Sequence, residues 1–146
     1  EALAAGINVG LGTDGAASNN RLDMWAEMEM AALLGKHVAH DAEAVPAPVV
    51  LEMATINGAR ALGLADEIGS LVAGKSADVI CVELTAPAVR PVLDPLSQLV
   101  YCSGREHVTD VWVAGEHLLS AGRLTRMDIE VILERADQWG KRILDA

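Results

Sequence analysis

Apolar and polar positions alternate between two periods along this chain. Ile7 to Leu11 is a compact apolar run closed by Gly12 and Thr13, which predicts a buried strand. From about Arg21 to His37 apolar residues recur at helical spacing: Leu22, Trp25, Met28, Ala32 and Leu33 form the stripe. Met24, Met30, Ala31 and Leu34 widen it, Asn19 or Asn20 is placed to cap it, and Asp23 falls in its first turn. Pro48 suits the start of a second helix running to about Leu62, with Gly63 at its end. Val50, Met53, Ala54, Asn57 and Ala61 share one face of it, and Ala54, Gly58 and Ala61 are small enough for close approach to a neighbour.

The period then shortens. Ala77 to Leu84 is rich in β-branched residues and predicts a strand. Pro87, Pro91 and Pro95 interrupt regular structure, and Leu96 to Tyr101 suits either a helical turn or a short strand. Val108 to Val113 predicts a strand that Ala114-Gly115 turns back into His117-Leu118-Leu119. Thr125 is placed as the N-cap of a last helix, with Asp128 at its third position. Ile129, Ile132, Leu133, Ala136 and Ile143 oppose Glu130, Glu134, Asp137, Gln138 and Lys141, so this helix is a packing element or an oligomer contact.

Composition narrows the class. Apolar residues make up 51% of the 146 residues before the 13 glycines are counted. Ordinary domains reach about 45–50% with glycine included, so the excess suits elements buried on both faces, as in a large α/β body. A net charge of −10 with only 11 basic residues excludes a phosphate-binding surface, and 3% aromatics without phenylalanine excludes a base-stacking one. No apolar run approaches the ~18 residues of a membrane span. Glu1 to Gly6 has the form of the last turn of a helix closed by Gly6, so the chain is expected to be a piece of a longer one.

Several residues invite chemistry and decline it. Cys81 and Cys102 stand too far apart for a CxxC pair and are expected to be small core hydrophobes. His37 and His40 have ligand spacing but no third partner nearby, and are expected to be solvated. His107 and His117 are expected to be the same, without acidic companions. Gly69 to Ser76 fits the phosphate-loop pattern GxxxxGK[ST]. That loop needs a buried strand before it and a helix after it, whereas Ala65-Asp66-Glu67-Ile68 is a poor strand and a strand-like segment follows. A β-hairpin turning at Gly74-Lys75 is expected instead, with Asp78 holding the turn by backbone hydrogen bonds.

Asp14 is different. It follows the apolar run, where a buried parallel strand emerges at its carboxyl end, and α/β folds place their chemistry at that rim. A carboxylate there can bind a metal or move a proton; it can equally cap a helix or close an Asx-turn.

The stretch Gly12-Thr13-Asp14-Gly15-Ala16-Ala17-Ser18-Asn19-Asn20, followed by Leu22-Asp23-Met24, resembles the end of the eighth barrel strand in the amidohydrolase superfamily, and most closely its 5-methylthioadenosine/S-adenosylhomocysteine deaminases. Ala54 to Leu64, Gly69-Ser70-Leu71, Gly74 to Asp78 and Val111-Trp112-Val113 with Gly115 resemble the later words of the same family. The resemblance implies an α/β fold: the C-terminal end of a metal-dependent hydrolase (β/α)8 barrel, part of a small β-sandwich and a terminal helix. Residues 1–64 would be the barrel end, 65–120 the sandwich part and 121–146 the helix. Such a barrel takes ~250 residues, more than this chain has.

The resemblance also implies a function for the intact parent: hydrolytic, cytoplasmic deamination of a small purine nucleoside with a divalent metal, zinc above others. Asp14 would be metal ligand and catalytic residue, and Asp14 with Ser18 would contact substrate. The family's remaining ligands, a His-x-His and later histidines, have no counterpart here, so the chain alone is expected to be inactive and, lacking partners for its barrel elements, to self-associate as a homo-oligomer or to await a missing N-terminal portion. Related triazine hydrolases and oxopurine deaminases carry similar words, and a non-catalytic binding or assembly module retaining the sandwich and last helix is the alternative from another class.

Overall fold

The computed structural model describes residues 2–145. Its elements follow in the order α1 (Met24–Ala39), α2 (Ala47–Ala54), α3 (Ile56–Ala61), β1 (Val79–Val82), α4 (Pro95–Tyr101), β2 (Val108–Val113), β3 (Glu116–Ser120), β4 (Arg123–Leu124) and α5 (Ile129–Leu144). Leu3–Ala5 is a single 3-10 turn closed by Gly6 at φ 72°, as the sequence leads one to expect; Glu1 lies outside the described residues.

The helical part packs around Met28 and Ala32 of α1, Ala47 and Val50 of α2 and Val100 of α4, with Leu11, Trp25 and Tyr101 against them. Leu96 to Tyr101 is therefore helical, and Asp94 begins it by accepting from the amides of Leu96 and Ser97. The wide apolar face expected for α1 is buried only in part: Met30, Leu33 and Leu34 are more than half exposed. Leu22 precedes the helix and is exposed as well. The elements packed most closely on α1 are α2 and α4.

The caps differ from expectation. Asp23 caps α1, its carboxylate taking the Trp25 amide at 3.1 Å, and leaves Asn19 free for another task. The helix expected from Pro48 begins at Ala47 and breaks at Thr55 (φ −130°, ψ −96°) into α2 and α3, before Gly63 in the left-handed region. The Thr55 hydroxyl turns back onto the Leu51 carbonyl, and its amide onto Glu52. For α5 the cap is Asp128, which accepts from Glu130 and Val131; Thr125 is spent on β3, donating its amide to Leu118 and its hydroxyl to His117. Every described residue of α5 is exposed.

Residues 7–15 are not a strand among the described residues. They run along α2 and α3 instead, the Leu11 amide donating to the Met53 carbonyl at 2.9 Å. Asn8 and Asn57 clasp this segment: Asn8 Nδ2 donates to the Asn57 carbonyl at 3.0 Å and Asn57 Nδ2 to the Val9 carbonyl at 3.1 Å. Asn57 is buried, and Arg60 satisfies its side-chain oxygen at 2.7 Å. A methyl at Gly10 would stand 3.4 Å from the Gly58 backbone, so the extended segment passes close to α3 at this point.

The second part is an antiparallel four-stranded sheet in the order β1-β2-β3-β4. Val79 faces Trp112, Val111 faces Leu119 and Leu119 faces Leu124. Its hairpin turns share one device. In the first, Ala114 and Gly115 both have positive φ; the Ala114 amide donates to the Asp78 carboxylate at 2.6 Å and the Gly115 amide to the Ala77 carbonyl at 3.1 Å. In the second, Ala121 and Gly122 have positive φ; their amides donate to the Asp110 carboxylate at 3.3 Å and the Thr109 carbonyl at 2.8 Å. Asp78 thus holds a turn, though one 36 residues away rather than its own.

Gly74-Lys75 does sit in a turn, with the Lys75 amide on the Val72 carbonyl, but no strand precedes it and no hairpin forms there. Both cysteines are free and exposed rather than in the core. Cys81 lies on the edge strand β1 and Cys102 just beyond α4, where no described element covers them.

Candidate functional site

Asp14 stands in an exposed loop between the extended segment and α1, with a left-handed φ of 58°. Aspartate visits that region more readily than most residues, at a cost of order 1–3 kcal/mol that surrounding structure must offset. The Gly15 amide donates to Asp14 Oδ1 at 2.6 Å, and the Thr13 hydroxyl donates to the Asp14 carbonyl at 3.0 Å. Ser18 and Asn19 both send their amides to the Gly15 carbonyl at 3.0 Å, and the Ser18 hydroxyl donates there at 3.1 Å. The Gly15 amide, then the nearby Ser18 hydroxyl, holds the Asp14 carboxyl below the usual carboxylate range. Asp14 is therefore an ionised oxygen donor at neutral pH, close to Ser18.

Asn19 ties this loop to the helix. Its Nδ2 donates to the Thr13 carbonyl at 2.9 Å and to Glu27 Oε1 at 2.8 Å, and its Oδ1 accepts from the Arg21 amide at 3.0 Å. Read from sequence, Asn19 is a helix cap; its oxygen does take a local bond from Arg21, but its amide hydrogens go six residues back and eight residues on, at spacings no local pattern marks.

The other candidates stay apart from Asp14. His37 and His40 are exposed at the end of α1, their rings 6.3 Å apart. His107 and His117 are not the solvated, unaccompanied residues expected. His107 Nδ1 accepts the Gly104 amide at 3.0 Å, and its side chain is 13% exposed. His117 Nε2 lies 2.9 Å from Asp110 Oδ1, with its ring stacked on Trp112 at 4.3 Å. The acidic companion comes from the neighbouring strand, where residue spacing gives no warning. The Thr109 hydroxyl and then His117 keep the Asp110 carboxyl low.

The phosphate-loop match fails in three dimensions as well. Ser76 is followed by β1 and not by a helix, and Lys75 Nζ is turned inward, donating to the Ala65 and Ile68 carbonyls. A cavity of about 590 Å³ lies between α1, α2 and β1, lined by Met24, Trp25, Met28, Leu51, Val79 and other mostly apolar residues. Asp14 does not line it. Its walls suit packing rather than polar chemistry.

A hard, ionised carboxylate suits a divalent cation such as zinc or magnesium. Metal sites take three or four protein ligands, however, and among the described residues no three His, Cys, Asp or Glu side chains gather. Asp14 thus fits one position of a metal site, not a whole one. Among the described residues no helix is long and apolar enough to cross a membrane.

Residues 1–118 match the model of the amidohydrolase family. A protein of Teredinibacter turnerae named 5-methylthioadenosine/S-adenosylhomocysteine deaminase is 51% identical over 138 residues, 94% of this chain and 31% of that protein. The crystal structure of an adenosine deaminase from Xanthomonas campestris with bound zinc superposes with a TM-score of 0.95 at 48% identity, covering 99% of this chain and 33% of that one. Atrazine chlorohydrolase from Arthrobacter aurescens, complexed with zinc, superposes at 0.83 with 32% identity, covering 93% of this chain and 30% of that one. The chain spans about a third of the length of these relatives.

Proposed function

Because this chain belongs to the amidohydrolase family over residues 1–118, we infer that it is the metal-ligand-bearing third of a hydrolytic deaminase acting on adenosine-type nucleosides. The observation that carries this is the 51% identity to a 5-methylthioadenosine/S-adenosylhomocysteine deaminase across 94% of the chain, against 32% to the triazine hydrolase. The reaction replaces the ring amino group by oxygen: water attacks the amino-bearing carbon, and ammonia leaves. A divalent ion, zinc in this reading, would supply Lewis-acid chemistry to that water when bound.

Asp14 is the residue of this chain that would hold that ion, with the other ligands supplied by the rest of the longer protein. Its second task is to take the proton of the attacking water and pass it toward the purine ring nitrogen. An ionised carboxylate is ready for this without a prior proton loss, and the Gly15 amide on Oδ1 leaves the carboxylate oriented. Ser18, whose hydroxyl lies beside the same carboxylate, is the residue proposed to touch substrate. We assign residues 1–64 to the barrel end, 65–120 to the sandwich part and 121–146 to the terminal helix. The substrate is thus a small nucleoside, and self-association of the chain is part of the same proposal.

The test grafts this chain in place of the matched 31% of the Teredinibacter turnerae protein, with zinc, and follows ammonia release. Release from 5-methylthioadenosine and S-adenosylhomocysteine is expected, falling by ~10² or more in Asp14→Asn, which keeps the shape and loses the base. Turnover of a chlorotriazine alone would make it a triazine hydrolase, and full activity in Asp14→Asn would remove Asp14 from the chemistry.

A further inference from the structure

Asp14 needs outside support. Its φ of 58° is left-handed, Gly12 and Gly15 on either side have open space around them, and residues 14–18 are exposed. Backbone held in a sparsely populated region persists only where neighbouring structure over-determines it. The Gly15 amide bond lies within the loop and ties it to no other element, so it alone is not that anchor.

Asn19 can. All three of its side-chain hydrogen bonds are made, and they bridge two bodies: the Thr13 carbonyl, immediately before Asp14, and the Glu27 carboxylate on the first turn of α1. The orientation of the amide is fixed by its partners, since the Thr13 carbonyl and the Glu27 carboxylate only accept and the Arg21 amide only donates. The next residue of that helix, Met28, is buried in the helical core, so the far end of the bridge is rigid. The bond to Glu27 is charge-assisted, the stronger kind.

We infer that Asn19, gripping the Thr13 carbonyl with one amide hydrogen and the Glu27 carboxylate with the other, is a positioning residue that transmits the place of helix α1 to the Asp14 carboxylate. This rests on the catalytic assignment of Asp14 for its functional meaning, although the mechanical link stands without it. Asn19 touches no reacting atom in this arrangement. Its part is to hold Asp14 where a ligand or base must stand, because small displacements of such groups are costly to rate.

The test reads the Asp14–Gly15 contact directly, by NMR amide exchange of Gly15 in the chain, beside exchange of the core amides of Val50 and Val100. In Asn19→Ala the Gly15 amide should exchange ~10-fold faster or more, the scale of one lost charge-assisted hydrogen bond, with the core amides unchanged. Glu27→Ala should do the same, whereas Glu27→Gln keeps an acceptor and should stay near the parent. Addition of Glu27→Ala to Asn19→Ala should bring little further change, because one bridge is already broken. Unchanged Gly15 exchange in Asn19→Ala, or equal acceleration at Gly15 and in the core, would overturn the positioning role. A fully active Asp14→Asn graft would overturn the catalytic assignment alone and leave these exchange rates as they are.

Discussion

The carboxylate of Asp78 accepts the amide hydrogen of Ala114 at 2.6 Å and so pins the β2–β3 turn to the start of β1. With the Gly115 amide on the Ala77 carbonyl, this closes the sheet edge where the ladder itself has ended. Asp78→Ala should lose about 0.5–1.5 kcal/mol, the usual worth of one such bond, or about 1–6 °C in Tm. Asp78→Asn keeps the acceptor and should lose less. Equal melting of all three proteins would show the contact to be idle.

The two hairpin turns place alanine where glycine is at ease. Ala114 and Ala121 have φ of 50° and 47°. A left-handed conformation costs a residue with a Cβ about 1–2 kcal/mol, while glycine adds about 0.4–1 kcal/mol of unfolded-state entropy. The first outweighs the second. Ala114→Gly and Ala121→Gly should each stabilise slightly, by about 0.5–1 kcal/mol in urea unfolding, and a loss of stability in both would contradict the strain.

Helix α4 should respond to acid through Asp94. The Ser97 hydroxyl, then the Ser97 amide, keeps this carboxyl below its ordinary value. A carboxyl depressed in the folded state adds stability above its unfolded pKa, about 3.9, and that stability disappears as pH falls through the lower folded value. Protection of the Ser97 amide should therefore be constant from pH 7 to about 5 and fall below about 4. Asp94→Asn should flatten that acid dependence; a profile unchanged by the substitution would show that another group controls it.

Lys75 should prove structural. Its ammonium donates to the Ala65 and Ile68 carbonyls and no helix N-terminus lies behind the loop. Lys75→Ala should lower Tm while leaving any nucleotide affinity as it was. Saturable ATP binding in the parent that vanishes in Lys75→Ala would restore the phosphate-loop assignment.

Local chemistry was legible in the order of residues, and so were most elements. Helical spacing marked α1, α2 and α5, β-branched runs marked β1 and β2, and Ala114-Gly115 marked the turn between β2 and β3. The words around Asp14 carried the family, because motif residues are adjacent in sequence and survive in a chain that spans a third of its relatives. The physical reason is range: spacing, propensity and turn chemistry act over a few residues.

What spans many residues was decided only by the tertiary structure. Ile7 to Leu11 reads as a strand, yet a strand needs a neighbouring ladder, and here the Leu11 amide finds the Met53 carbonyl of α2 instead. Asp128 displaced Thr125 as a cap because β3 takes both polar groups of Thr125. Asp110 reached His117 because antiparallel pairing brings two strands side by side, and Cys81 came out exposed because no described element covers its face of β1. Asn19 shows the division most plainly: a side-chain amide has no memory of sequence distance, and it bonds whichever acceptors the fold delivers, the Thr13 carbonyl and the Glu27 side chain rather than the amides at the start of α1.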